Sequence, residues 1–311
     1  MFRAYSLMTI FALLASSAAS APAQVTLKHK FQEGRKSTSV AVVKTKQTLT
    51  LAGNELVSGS TQSLTVTTAN GQRAADGTLS VNSKIDALKV DVTLPGGVEL
   101  AFDSAKPDAD RPGTAFDSLL DVFKASAKAT WETVLDKENR IIAVKGRDAA
   151  FADLPEAIRE AMKAQVDPEY LKTAANDELA KLPSVPVSPG DSWERTTAVR
   201  LDSGQRLTFT SKYTYEGSIQ QDGKKLEKIT VKTTKVDYSV EGESPLKVVE
   251  SDLQVAASNG VLLFDPAYGQ IVSQNNKVQV KGPLKLEVMN MEFAGQLDLS
   301  METSVNMKEV P

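Results

Sequence analysis

The side chains able to do chemistry are few, and each lacks the partners its chemistry needs. His29 is the one histidine. Imidazole can serve as a general base, complete a catalytic triad or bind zinc, but these roles require several ligands or an activated nucleophile beside it. His29 alternates with Val25, Leu27 and Phe31, while Thr26, Lys28 and Lys30 take the opposite side of the same run. It therefore reads as a residue packed within or at the rim of a core. Gly190-Asp191-Ser192-Trp193-Glu194 superficially resembles a nucleophile elbow, yet G-x-S-x-G does not occur in the chain. We read it as a turn in which Pro189-Gly190 bends the backbone, Asp191 binds local amides, and Trp193 is buried as a strand begins. Asp103, Asp108 and Asp110 gather the hard oxygen donors that calcium takes, but their spacing is not that of an EF-hand and no glutamate closes the shell. They read as a solvated loop beside Pro107 and Pro112. Asp136 and Glu138 fall at a hairpin tip, where solvation explains them. No G-x-G-x-x-G or Walker pattern offers a phosphate cradle. No catalytic, cofactor-binding or metal residue is assigned on these grounds; no cofactor is expected, and the chain reads as not an enzyme.

The N-terminus carries the clearest signal. Arg3 precedes the apolar run LMTIFALLA (Leu7 to Ala15), and a small-residue stretch ends in Ala21-Pro22-Ala23. This is the order of a cleavable secretory signal over residues 1–23, and the run is too short to span a bilayer. A periplasmic or otherwise extracytoplasmic protein is expected. With no cysteine in the sequence it cannot be a lipoprotein, and disulfides cannot staple its fold. No later segment is apolar for long enough to be a transmembrane helix. The mature net charge of about −4 (35 basic against 39 acidic once Arg3 is removed) is weak, and the basic groups are short, which argues against nucleic acid. Aromatic residues, 6% of the chain and scattered, form no stacking platform.

The elements that would position any site are mostly strands. Alternation of apolar and polar residues runs from Val25 to Asp103, through SVAVVKTKQTLTL, STQSLTVTTA and TLSVNSKIDALKVDVTL, with turns expected at or near Gly53-Asn54, at Asn70-Gly71 and at Gly96-Gly97. Phe116, Leu119, Leu120 and Phe123 lie on one stripe of a short helix. A hairpin turns at Lys137 to Asn139. Asp153, Pro155 and Glu156 suggest a capping box for a helix to about Gln165, and Asp167-Pro168 opens a second that stops before Pro183. Strands then resume from Trp193, with a turn at Gln221-Asp222-Gly223. A long run of strands without intervening helices excludes a parallel βαβ sheet. The fold class is α+β, mainly antiparallel β: long curved antiparallel sheets or half-barrels, with about three short helices near the middle of the chain packed on one face. The corresponding divisions are residues 1–23 (signal peptide), 24–150 (N-terminal β-rich half), 151–183 (helical segment) and 184–311 (C-terminal β-rich half).

A duplication is hinted at. LKHKFQEGRKS is echoed by VPVSPGDSWER about 156 residues later, and WETVLDKENRIIAVKG by GVLLFDPAYGQIVSQN about 129 later, so the echoes do not share one period.

The segments LKHKFQEG, LPSVPVSPGDSWE (Leu182 to Glu194) and GVLLFDPAYGQIVS (Gly260 to Ser273) resemble a family of exported bacterial proteins known only as a domain of unknown function. That resemblance implies an exported β-rich protein and brings no catalytic residues. A looser, purely architectural likeness is to periplasmic lipoprotein carriers, which hold acyl chains between a half-barrel and helices. The function expected is a non-enzymatic binding protein able to hold a lipid or other hydrophobic small molecule between sheet and helices. The alternative is a structural component of the cell envelope with another envelope protein as partner.

Overall fold

The computed structural model describes residues 24–106, 113, 116–200, 205–240, 246–288 and 290–310. Residues 1–23, read above as a signal, together with Asp108, Asp110 and the Gly242 to Pro245 break, lie outside them.

The N-terminal half contains β1 (Lys36–Leu51), β2 (Asn54–Arg73), β3 (Leu79–Leu94), β4 (Val98–Asp103), α1 (Asp117–Ser126), β5 (Thr130–Leu135) and β6 (Ile141–Lys145). A short 3-10 turn (Asp148–Phe151), α2 (Glu156–Val166) and α3 (Pro168–Leu179) come next. The C-terminal half contains β7 (Ser192–Arg200), β8 (Gln205–Gln221), β9 (Lys224–Val240), β10 (Leu246–Ser251), β11 (Gln254–Asp265), β12 (Gln270–Val288) and β13 (Met291–Val310). All pairings are antiparallel, and the described strands form one sheet in the order β6-β5-β3-β2-β1-β13-β12-β11-β9-β8-β7, with β4 beside β3 and β10 beside β12. The fold is thus α+β and mainly antiparallel, and its two halves share a single sheet joined where β13 lies against β1.

Local chemistry explains most element boundaries. Asp222-Gly223, both at positive φ, close the β8–β9 hairpin, and Gly96-Gly97 close β3–β4. Asp167 caps α3 by accepting the Tyr170 N–H at 2.7 Å, with Pro168 as the first helical residue. Three expectations need correction. Asp153 caps nothing: Pro155, extended at ψ 144°, is the N-cap of α2 and makes no side-chain cap bond. Asn70-Gly71 is not a turn. β2 runs through it to Arg73 with a register shift, because the chain ahead of β1 binds there, Asn70 N–H to Arg35 C=O and Gly34 N–H to Gly71 C=O. Val25 to Phe31 keeps its alternation without forming a strand; one bridge, Val25 to Val187, is its only strand-like pairing among the described residues.

The duplication is written into the pairing. β1-β2-β3-β5-β6 and β7-β8-β9-β11-β12 have the same neighbour scheme. Lys36 faces Ala69 as Ser192 faces Thr214. The register slips between Thr65/Val66 and Ala87/Ile85, and again 145 and 148 residues on, between Thr210/Ser211 and Lys235/Thr233. A second slip after Asn70 recurs after Tyr215. The bulge at Val134/Leu135 recurs at Leu263/Phe264, 129 residues on. The two echoed segments are therefore true equivalents. Their offsets differ because the β1–β2 hairpin is longer than the β7–β8 hairpin, and because α1 stands between β4 and β5, where the second half has only Asp252-Leu253.

The inner face is apolar. In the N-terminal half Ile85, Leu88, Val90, Leu100 and Phe102 pack under Leu120 of α1. Leu79, Val81, Leu135, Ile141 and Val144 lie under Leu171, Ala175 and Leu179 of α3. The opposite face carries charged ladders, including Lys277 with Glu302 and Lys281 with Asp298 at 2.8 Å. Exposed pairs of this kind contribute at most about 1 kcal/mol each.

Candidate functional site

The absence of an α1 counterpart leaves the concave face of the C-terminal half short of cover. α3 reaches over part of it, and between the two lies a cavity of 300 Å³. Its floor is Phe209, Tyr213, Val231, Leu262, Val278 and Met301; Ala174, Asp177, Glu178 and Lys181 form the α3 side. The lining strands run from β7 to β13. Five interstrand steps of about 4.8 Å would spread them over roughly 24 Å in a flat sheet. That one small cavity touches all six shows how tightly this half curls. Two larger hollows, 460 and 510 Å³, are grooves with a broad opening to solvent, over Gly260 and Gly59 respectively, and offer far less enclosure.

Several polar groups of the cavity are bonded to one another, while Asn276 Oδ1, also in its lining, is buried without a hydrogen-bond partner among the described residues. Ser211 Oγ and Thr233 Oγ1 are 3.1 Å apart. Lys181 is buried, with its ammonium 2.5 Å from Glu178 Oε2 and 3.4 Å from Gln274 Oε1. Burial pushes the Tyr213 phenol up to about 12, the nearby Glu178 charge adding to the shift and Arg195 opposing it. The phenol stays protonated at neutral pH, and its ring stacks on Trp193 at 5.9 Å. The repeat shows how the sequence makes this space: the positions of Ser211 and Thr233 are held in the first half by Val66 and Ile85, which belong to the core beneath α1. Hydroxyls replace aliphatic side chains where the helix is missing. Aligning the two echoes strand by strand would have exposed that substitution in the sequence.

The residues weighed for chemistry lie apart from the cavity. His29 is wedged between Phe31 and Phe264, with ring centroids 6.4 and 6.3 Å away, and its Nδ1 is 3.0 Å from Gln270 Oε1. Burial lowers its pKa below 6.5, against the opposing effects of the Gln270 bond and Glu178. Its segment ties the halves together, since Leu27 packs in the C-terminal core and Phe31 against that of the N-terminal half. Asp191 turns the chain by accepting the Ser188 N–H at 2.8 Å, and Trp193 Nε1 donates to Lys181 C=O at 2.8 Å. Asp103 accepts the Ala105 N–H and pairs with Lys89 at 3.0 Å. Asp136 closes its hairpin by accepting the Glu138 and Arg140 amides, both at 2.9 Å. One charged constellation escaped the sequence reading: Glu227, almost fully buried, accepts from Tyr215 Oη at 2.5 Å and Ser218 Oγ at 2.8 Å. Its counterpart in the first half is Leu79, which faces Leu135 across the sheet as Glu227 faces Phe264.

No curated protein sequence matches the chain. Among solved structures, a lipovitellin chain described for its lipid–protein interactions aligns at 10% identity and a TM-score of 0.42, covering 91% of this chain. This chain spans only 26% of the lipovitellin chain. A Bacteroides fragilis protein with a YmcC-like fold aligns at 8% identity and a TM-score of 0.21, over 88% of this chain and 98% of that one. A DUF1329 family protein from Desulfovibrio piger aligns at 9% identity and 0.11, over 86% and 85%. None of these likenesses is close enough to bear on function. The family of unknown function DUF6263 matches residues 76–250, from just ahead of β3 into β10. That match takes in more than half of the sequence, and the chain belongs to the DUF6263 family.

Proposed function

We propose that this is a non-enzymatic binding protein of an extracytoplasmic compartment, and that it holds a lipid, acyl chain or other apolar small molecule between α3 and the concave sheet of its C-terminal half. The observation that carries the reading is the 300 Å³ cavity with its aromatic and aliphatic floor. That size stands at the lower end of small-molecule pockets and suits a single chain or ring better than a bulky ligand. Support comes also from the way its polar groups are arranged. Ser211 binds Thr233 and Lys181 binds Glu178, so these groups satisfy each other and leave the floor apolar. The signal-like N-terminus supports export.

Native mass spectrometry of the protein purified gently from its own host tests this. A discrete added mass is expected in the wild type. Val231→Phe, which fills the floor, should lose it while the far-UV circular dichroism is retained. A wild-type protein that carries no small molecule but keeps a stoichiometric protein partner would favour the envelope-interaction reading instead.

A further inference from the structure

The repeat is complete in its strands and broken in the segment after them. Beyond β12 the chain continues into β13, which fills the place between β12 and β1 with sixteen residue pairs on each side. Beyond β6 the chain continues instead into α2 and α3, and it is α3 that packs beside β6. On the β6 side α3 imitates a strand: the Asn176 carboxamide accepts the Ile141 N–H at 3.1 Å and donates to the Ile141 C=O at 2.8 Å. On the β7 side nothing comparable exists among the described residues. β7 pairs with β8 alone, and its contacts to the end of α3 are made by the side chains of Trp193 and Arg195, donating to the carbonyls of residues 180–182. Because ladder groups alternate in direction along a strand, about half of the backbone N–H and C=O groups of β7 face away from β8. An open edge of nine residues with no proline in it is a template for another strand.

We infer that the outer edge of β7, Ser192–Arg200, accepts an extended segment of a partner polypeptide, laid in the register that β13 takes on β1. The occupant is a peptide strand because its counterpart in the repeat is one, and because backbone ladder groups are satisfied by backbone and not by an apolar molecule. The register sets its chemistry. β13 places Lys308 opposite Thr38 and Val305 opposite Ala41; shifted by 156 residues, these positions fall opposite Glu194 and Thr197. Glu194 is exposed, so the partner strand carries a lysine or arginine against it. On the concave side the same register sets Val305 beside Thr197 and Thr303 beside Val199, so the partner strand carries small aliphatic or hydroxyl side chains there. The proposal does not rest on a ligand in the cavity, which Thr197 and Val199 also line.

The test uses the mature chain, residues 24–311, and a fluorescein-labelled peptide of the β13 sequence, Met291–Val310. Saturable binding by fluorescence anisotropy is expected. Hydrogen exchange should show residues 192–200 gaining protection while residues 291–310 of the protein keep theirs. A peptide with Lys308→Glu should bind about twofold to fivefold more weakly, from placing like charges opposite one another. Glu194→Lys in the protein should reverse that preference; Glu194 is exposed, so the fold tolerates the change. The inference fails if no binding occurs, if protection appears on β1 because the peptide displaces β13, if the charge swap leaves the preference unchanged, or if β7 pairs instead with β7 of a second copy and excludes the peptide.

Discussion

Five strands of each half share one pairing scheme, down to the positions of three register slips, and the halves differ in the place of the remaining strand, β4 beside β3 but β10 beside β12, and in the cover over their concave faces. The N-terminal half is filled by α1, whose Leu120 packs into a cluster with Ile85, Leu88 and Phe102. The C-terminal half has a two-residue connection in the same place and holds a cavity. The scheme of strand pairing is thus separable from the use made of the surface it creates. A curled sheet supplies an apolar concavity, and a short insertion decides whether that concavity is filled as core or left as a cavity.

Substitutions at equivalent positions can break or sharpen this contrast. The largest effect is expected at Leu88, 1% exposed beneath α1, where Leu88→Ala should cost about 2–5 kcal/mol in urea unfolding. Next is Tyr215→Phe, which removes a donor from the buried Glu227 carboxylate and should cost about 1–3 kcal/mol. Adding Glu227→Leu, which copies Leu79 of the first half, should recover part of that loss, since both members of the buried pair are then apolar. A double-mutant cycle reads the coupling directly. Smaller still is the paired change Ser211→Val with Thr233→Ile, which copies Val66 and Ile85 into the cavity. Removing both partners of one hydrogen bond together should leave stability nearly unchanged, while the mass added by bound ligand in native spectrometry is lost.

The subtlest effect is on pH dependence. The His29 pKa lies below 6.5 in the folded chain because burial disfavours the imidazolium, so the unfolded chain binds more protons near and below pH 6.5. Stability should be fully present above that pH and fall as the pH drops from about 6.5 towards the lowered folded value. His29→Gln should flatten this part of the curve, and thermal unfolding across about pH 5 to 8 measures it.

Much of the fold was legible because strands advertise themselves. Alternation in β1, β3 and β9, the paired glycines at 96 and 97, Asp222-Gly223, and Asp167-Pro168 each act through their own few neighbours, and the structure places them as read. The failures share a cause. Asn70-Gly71 has the composition of a turn, but bonds to Gly34 and Arg35, distant in sequence, hold it inside β2. Asp153 has the spacing of a cap, but Pro155 sets the helix start two residues later.

By itself the sequence determined a cysteine-free, mainly antiparallel chain with a signal-like leader and two unequal echoes, because periodicity, turn chemistry and capping are properties of neighbouring residues. Tertiary structure alone decided that the halves form one sheet, that the echoes are equivalent strands, and that Ser211 and Thr233 line a space while Val66 and Ile85 lie in a core. Each of those outcomes depends on which strands pair across distant stretches of chain and on how tightly the sheet curls, and neither is encoded in any local window.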